Sequence, residues 1–263
     1  MRHALHVAGR DLRGLFVSPV AYGVLSLFSI LAGVFFILNV AFFNEQIIRA
    51  QQFQAFDFLE SWNLNDNLIA EFYGTMSVVL LFLIPGITMG LFTSEKSQGT
   101  QEMLMTSPLS IWDMVLGKFL AGAAFAALLV ALVGLFPGIL FLYGDPDVGG
   151  GPEIGKTLSG LLGLLLVAWT YVAIGVFASS ITRSQVVAFL ITFVLLLCML
   201  LLPAIADLGV AGAGAVLRWL STGEHFESLV RGLVDTADLA YFAVTIGAFL
   251  LLTHAAVESV RWR

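Results

Sequence analysis

The chain has 263 residues, of which 59% are hydrophobic and 11% charged, with a formal net charge of −6 and a mean hydropathy of +0.96. A soluble domain carries roughly 25% charged residues, so this composition cannot clothe a water-facing surface and calls for lipid as its solvent. The lone Cys198, set in an apolar run, excludes a disulfide framework and a cysteine metal site.

Residues 1–18 precede the first long apolar run. Leu5, Ala8, Leu12 and Leu15 recur at helical spacing, with Arg2, Arg10, Asp11 and Arg13 off the stripe, which predicts a helix lying in the membrane interface. Pro19 disfavours helical geometry at Ser18 and breaks the chain there. The competing reading is a simple extension of the first span. A cleaved signal is excluded, because the apolar run after Arg13 outlasts a signal core of roughly 7–15 residues and no small-residue cleavage site closes it.

Six charge-poor windows follow, at about 21–43, 72–92, 119–143, 157–182, 184–206 and 239–257. Each approaches the roughly 20 residues that cross a bilayer as a helix, and none shows the alternation of a membrane barrel. The fold class is therefore all-α: a single polytopic domain over residues 1–263, with six transmembrane helices, an N-terminal interfacial helix and both termini cytoplasmic. Lys and Arg set that orientation. With the N-terminus inside, the inner segments hold eight of them (Arg2, Arg10, Arg13, Lys96, Lys118, Arg183, Arg261, Arg263) and the outer loops four. The first outer loop, 44–71, reads as short surface helices. Residues 144–156, rich in Gly and Pro, read as a turn. The outer segment 207–238 places Phe226, Leu229, Val230 and Leu233 on one face of an interfacial or re-entrant helix.

No span carries a charge near its centre, which speaks against an ion-coupled carrier. Asn39, Thr75, Ser77, Thr88, Thr170, Tyr171 and Thr192 are the polar residues a substrate could meet. For most of them, bonding to their own backbone or helix packing is the simpler account. Gly86/Gly90 and Gly134/Gly138 are small-xxx-small pairs suited to close helix approach. Pro85, Pro137 and Pro203 are expected to kink or end their helices. His225 and Glu227 are too few for a metal site, no hydrolase motif is present, and no phosphate loop is present to bind ATP.

The stretch 93–118 joins the second and third windows. Gly99 and Pro108 punctuate it, Thr100 can cap a short helix with Glu102 in its first turn, and Ser110 with Asp113 forms a capping box for the next helix. A crosswise cytoplasmic helix of this kind suits docking to a soluble partner; an ordinary solvated loop is the alternative. Residues 82–119, with Pro85, Glu95-Lys96, Gly99-Thr100, Glu102, Leu104, Thr106, Pro108 and Gly117-Lys118, resemble the type-2 ABC exporter permeases. The likeness is strongest to the permease subunit of the gliding-motility-associated ABC transporter. Ser18-Pro19-Val20-Ala21-Tyr22 resembles that family's approach to the first span. His225-Phe226-Glu227-Ser228, Arg231-Gly232, Asp238, Tyr241-Phe242 and Arg261-Trp262 resemble its last segment.

The resemblance implies a transport subunit rather than an enzyme, with ATP and Mg bound by a separate ABC ATPase and no cofactor on this chain. It implies a second permease copy or a paralogous one, an accessory extracytoplasmic subunit, membrane lipid but no nucleic acid as partners, and a bacterial inner (cytoplasmic) membrane. Glu95, Lys96, Gly99, Thr100, Glu102, Thr106 and Pro108 would form the coupling element. Relatives often carry a basic residue at Gly90 and an acidic pair where this chain has Ser94-Glu95, which bears on the choice of ATPase. The alternative function is a non-transporting membrane scaffold of an ATPase-driven surface or motility machine.

Overall fold

A computed structural model describes residues 2–54, 62–100, 110–143, 151–207 and 214–261. They form ten α-helices: α1 (Arg2–Val17), α2 (Pro19–Gln52), α3 (Ala70–Thr88), α4 (Gly90–Ser97), α5 (Ile111–Tyr143), α6 (Ile154–Ile181), α7 (Gln185–Asp207), α8 (Gly214–Leu220), α9 (Thr222–Val230) and α10 (Thr236–Arg261). A π-helical turn, Asn65–Ile69, leads into α3. Six segments are long and apolar enough to cross a membrane, and they coincide with the six expected windows.

The ends of the helices depart from the apolar windows. Helix α2 runs nine residues beyond 43, to Gln52, because the polar stretch is made of helix formers and carries an i,i+4 ion pair, Glu45–Arg49, at 2.5 Å. Pro19 sits at the first position of α2, where its missing N–H is harmless. Pro85, Pro137 and Pro203 all lie inside helices. Pro85 stands four residues before the break at Met89 between α3 and α4, and Pro203 four residues before Asp207, the last residue of α7, while Pro137 lies within α5.

Helix α6 is the axis of the bundle. Two thirds of its span is buried (67%), against 17% for the first and fifth spans. Its glycines receive neighbours at close range. A Cβ on Gly175 would lie 2.1 Å from Thr88 Oγ1, one on Gly160 2.6 Å from the Tyr73 ring, and one on Gly163 2.9 Å from Leu229 Cβ. The small-xxx-small pairs seen in the sequence do much less: Gly86 and Gly138 meet nothing within 4 Å, and Gly134 touches only the Leu161 side chain, at 3.2 Å. Spacing along one helix says nothing about what the facing helix presents, and that decides where a glycine is needed.

Helix α1 buries Ala4 and Val7, with Asp11 next on the same face, and leaves Leu5 65% exposed. Of the expected Leu5–Ala8–Leu12–Leu15 stripe, Leu12 and Leu15 pack against the core and Leu5 does not, while Asp11, an acid that looked solvated, is turned inward, so α1 lies on the bundle. The space for it comes from Gly117, where a Cβ would sit 2.7 Å from Val7 Cβ and 2.9 Å from the Ala4 carbonyl.

Candidate functional site

The end of the bundle that carries α1 brings two cations and two carboxylates together among the described residues. Lys118, one residue beyond the glycine that admits α1, is 2% exposed. Its Nζ lies 2.9 Å from Glu95 Oε1 and 3.2 Å from Asp11 Oδ2, donates to the Leu91 carbonyl, and stands 5.0 Å from the centre of the Phe92 ring. Arg10 bridges the same two carboxylates, at 2.8 Å from Asp11 and 2.9 Å from Glu95. Desolvation opposes the charge on Arg10, but the two carboxylates outweigh it and hold its pKa above the ordinary value. Two cations and two anions therefore close on one another across α1, α4 and α5. A lysine placed in the inter-span loop by its charge is the eighth residue of α5, where the third turn of the third span's helix begins.

Lys96, next to Glu95, turns the other way and donates to the Ser180 carbonyl, one residue before the end of α6. A cation there answers the partial negative charge of the helix C-terminus. Helix α4 then stops in a six-to-one turn. Thr100 N–H donates to the Glu95 carbonyl at 3.1 Å and Gly99 N–H to the Lys96 carbonyl at 3.4 Å. Gly99 adopts φ +72°, which glycine accepts without steric penalty. The Thr100 hydroxyl donates to the Glu95 carbonyl at 3.3 Å, so Thr100 closes α4. Helix α5 begins beyond Ser110, whose Oγ accepts the Asp113 N–H at 3.0 Å and donates to the Asp113 carboxylate at 2.7 Å, as the capping-box spacing predicts.

Of the seven coupling residues expected from the sequence, Glu95, Lys96, Gly99 and Thr100 therefore sit together at the tip of α4. Glu95 and Lys96 are directed into the bundle, towards α1 and α6. Glu102, Thr106 and Pro108 lie outside the described residues. Sequence reasoning missed Arg10 and Asp11, and took Gly117-Lys118 only as part of a resemblance. An acid on the N-terminal helix and a solitary lysine directly after a glycine at the edge of an apolar run were the available signals.

At the opposite end, α8 and α9 are fastened to α10. His225 Nδ1 lies 2.6 Å from Asp238 Oδ1 and Nε2 lies 2.9 Å from the Trp219 carbonyl. Its ring stacks on Tyr241 at 4.0 Å, and the Tyr241 hydroxyl donates to the Leu220 carbonyl at 2.7 Å. Phe226, Leu229 and Val230 are buried as expected. Leu233 is 65% exposed, because Gly232, at φ +87°, ends the helix before it. Glu227 pairs with Arg231, and no group of three metal-binding side chains exists among the described residues.

The polar residues within the spans are occupied locally. Asn39, Thr75, Ser77, Thr88, Thr170 and Thr192 each donate to a carbonyl three or four residues back in their own helix. They satisfy themselves in a low-dielectric setting and leave the helix faces apolar.

The sequence model of one family, described as ABC-2 family transporter protein, matches residues 5–258. No curated protein matches the chain.

Proposed function

Because the chain belongs to the ABC-2 family of transporter proteins, we propose that it is the membrane-spanning permease of a type-2 ABC exporter, driven by an ATPase on a separate chain that binds ATP and Mg. The observation that carries this reading is the build of the α4 tip. The second span continues past the apolar window to Ser97, stops at Gly99, and is tied by Glu95 to α1 and α5 and by Lys96 to the end of α6. A push on the connection between α4 and α5 is thereby delivered to three helices at once. Glu102, Thr106 and Pro108 supply the contact with the ATPase, Gly99 and Thr100 set the direction in which the chain leaves α4, and Glu95 and Lys96 pass the displacement inward. This end faces the cytoplasm of a bacterial inner membrane, as the cationic bias of its segments favours. Two copies, or one copy and a paralogue, complete the pathway. The resemblance of the pattern at 82–119 favours the gliding-motility branch of that family.

The test is purification of the tagged chain from its native membrane in a gentle detergent. Co-purification of a phosphate-loop ATPase in stoichiometric amount, lost in Glu102→Arg at normal chain levels, is the expected result. Recovery of the chain alone, under conditions in which a known ABC complex survives, would overturn the proposal.

A further inference from the structure

Two cavities meet behind α1. The larger, about 650 Å³, is walled by Arg10, Asp11, Ser94, Glu95, Gln98 and Lys118. The smaller, about 160 Å³, reaches into the bundle between Ala21, Val24, Gly86, Met89 and Phe125, with Gln185 also in its wall. Leu15, Ser18, Ile87 and Gly90 line both, so the two are one slot with a charged mouth and an apolar base.

This shape selects its occupant. Water needs two to four polar partners, and Gln185 and Ser18 are the polar side chains in an otherwise apolar base, while a free ion has no use for an apolar extension. An amphiphile uses both. The mouth holds two cations and two carboxylates, which suits a headgroup carrying both signs. Arg10, half exposed, directs Nε and Nη2 at its carboxylates, and a guanidinium has five N–H donors, so donors remain for a phosphate. Among the described residues Glu95 receives both of its cations on Oε1, so Oε2 is the oxygen we assign to an ammonium. We propose that this slot binds a zwitterionic phospholipid from the adjoining leaflet, its phosphate on Arg10, its ammonium at Glu95 and part of one acyl chain between α2, α3 and Phe125.

Gly86 allows a clean test. A Cβ there meets nothing within 4 Å, so the side chain of Gly86→Leu starts out into the open base that it is meant to occupy, and the change improves helix propensity. The purified full-length chain is exchanged into micelles holding phosphatidylethanolamine, phosphatidylglycerol or diacylglycerol, and retained lipid is counted by native mass spectrometry. The expected result is one phosphatidylethanolamine held per chain, with at least tenfold lower retention in Gly86→Leu at unchanged melting temperature. Arg10→Gln should weaken phosphatidylethanolamine retention while leaving that of diacylglycerol as it was. Equal retention by Gly86→Leu would overturn the proposal, as would a preference for phosphatidylglycerol or equal retention of diacylglycerol. A Gly86→Leu variant whose oligomeric mass changes while its lipid stays would assign the cleft to a protein contact and refute the lipid site. Binding is read on the chain without an ATPase, so this inference and the exporter reading fail separately.

Discussion

Gly175 is the position where one added methyl group should matter most. The crossing of α3 and α6 brings Thr88 against it, and both Thr88 and its surroundings are closed to solvent. A Cβ on Gly175 would stand 2.1 Å from Thr88 Oγ1 and 2.6 Å from Thr88 Cβ, so the helices must separate by more than about 1 Å, which a close-packed interior resists. Overpacking of this kind costs about 1–3 kcal/mol. Alanine returns about 0.5–1 kcal/mol of helix propensity, and Gly175→Ala is expected to lose about 1–2 kcal/mol net. The same change at Gly138, where a Cβ meets nothing within 4 Å, should gain the propensity term alone. Thr88→Gly removes the obstructing side chain, so in that background Gly175→Ala should turn stabilising, with a coupling energy of about 1.5–3 kcal/mol. Denaturation in mixed micelles can be followed by the fluorescence of Trp169, whose indole donates to the Ala123 carbonyl at 3.2 Å across α5 and α6. Equal responses at Gly175 and Gly138, or no coupling to Thr88, would refute the close crossing.

Glu95→Gln should remove charge-assisted bonds worth about 1.5–3 kcal/mol and speed hydrogen exchange over residues 2–17, with α10 unaffected. Gly99→Ala should destabilise the α4 stop by about 1–2 kcal/mol, the penalty of a left-handed conformation for an L-residue. Gly99→Asn should recover part of that, since asparagine tolerates the conformation, as exchange of the Thr100 amide would report. Lys96→Ala should fray the end of α6 by about 0.3–1 kcal/mol, visible as faster exchange near Ser180. His225→Ala leaves the Asp238 carboxylate and the Trp219 carbonyl without their partner, and limited proteolysis within 214–230 should rise several-fold; unchanged cleavage would mean that the ring does not hold α8 and α9 in place.

The six spans could be read from the sequence because lipid imposes long charge-free windows that few other structures share. Their ends could not, because lipid sets no limit on a helix that emerges into water: Glu45–Arg49 carries α2 onward, and only Gly99 halts α4. The stop at Gly99 and the cap at Ser110 were legible, since their chemistry is local, whereas the stop at Gly232 was passed over and Leu233 was wrongly carried onto the helical face. The ion cluster was not. Arg10 and Glu95 are 85 positions apart, and no periodicity reveals that a side chain read as facing a partner is folded back onto its own bundle. The glycine pairs misled for the same reason, whereas the hydroxyls within the spans followed the simple expectation of bonding to their own helix.

The segment between Ile84 and Ser94 is softened as a beam would be. Pro85 deletes one rung of the hydrogen-bond ladder, and Thr88, Thr93 and Ser94 each turn a hydroxyl back onto a carbonyl of the preceding turn, which bends helices. The break at Met89 falls within this stretch, and beyond the break the eight residues of α4 make an arm about 12 Å long, so a swing of about 10° moves its tip by about 2 Å. With Glu95 tied to α1 and α5 and Lys96 to the end of α6, a swing of the arm under the proposed drive would draw three helices with it, as rods follow one crank.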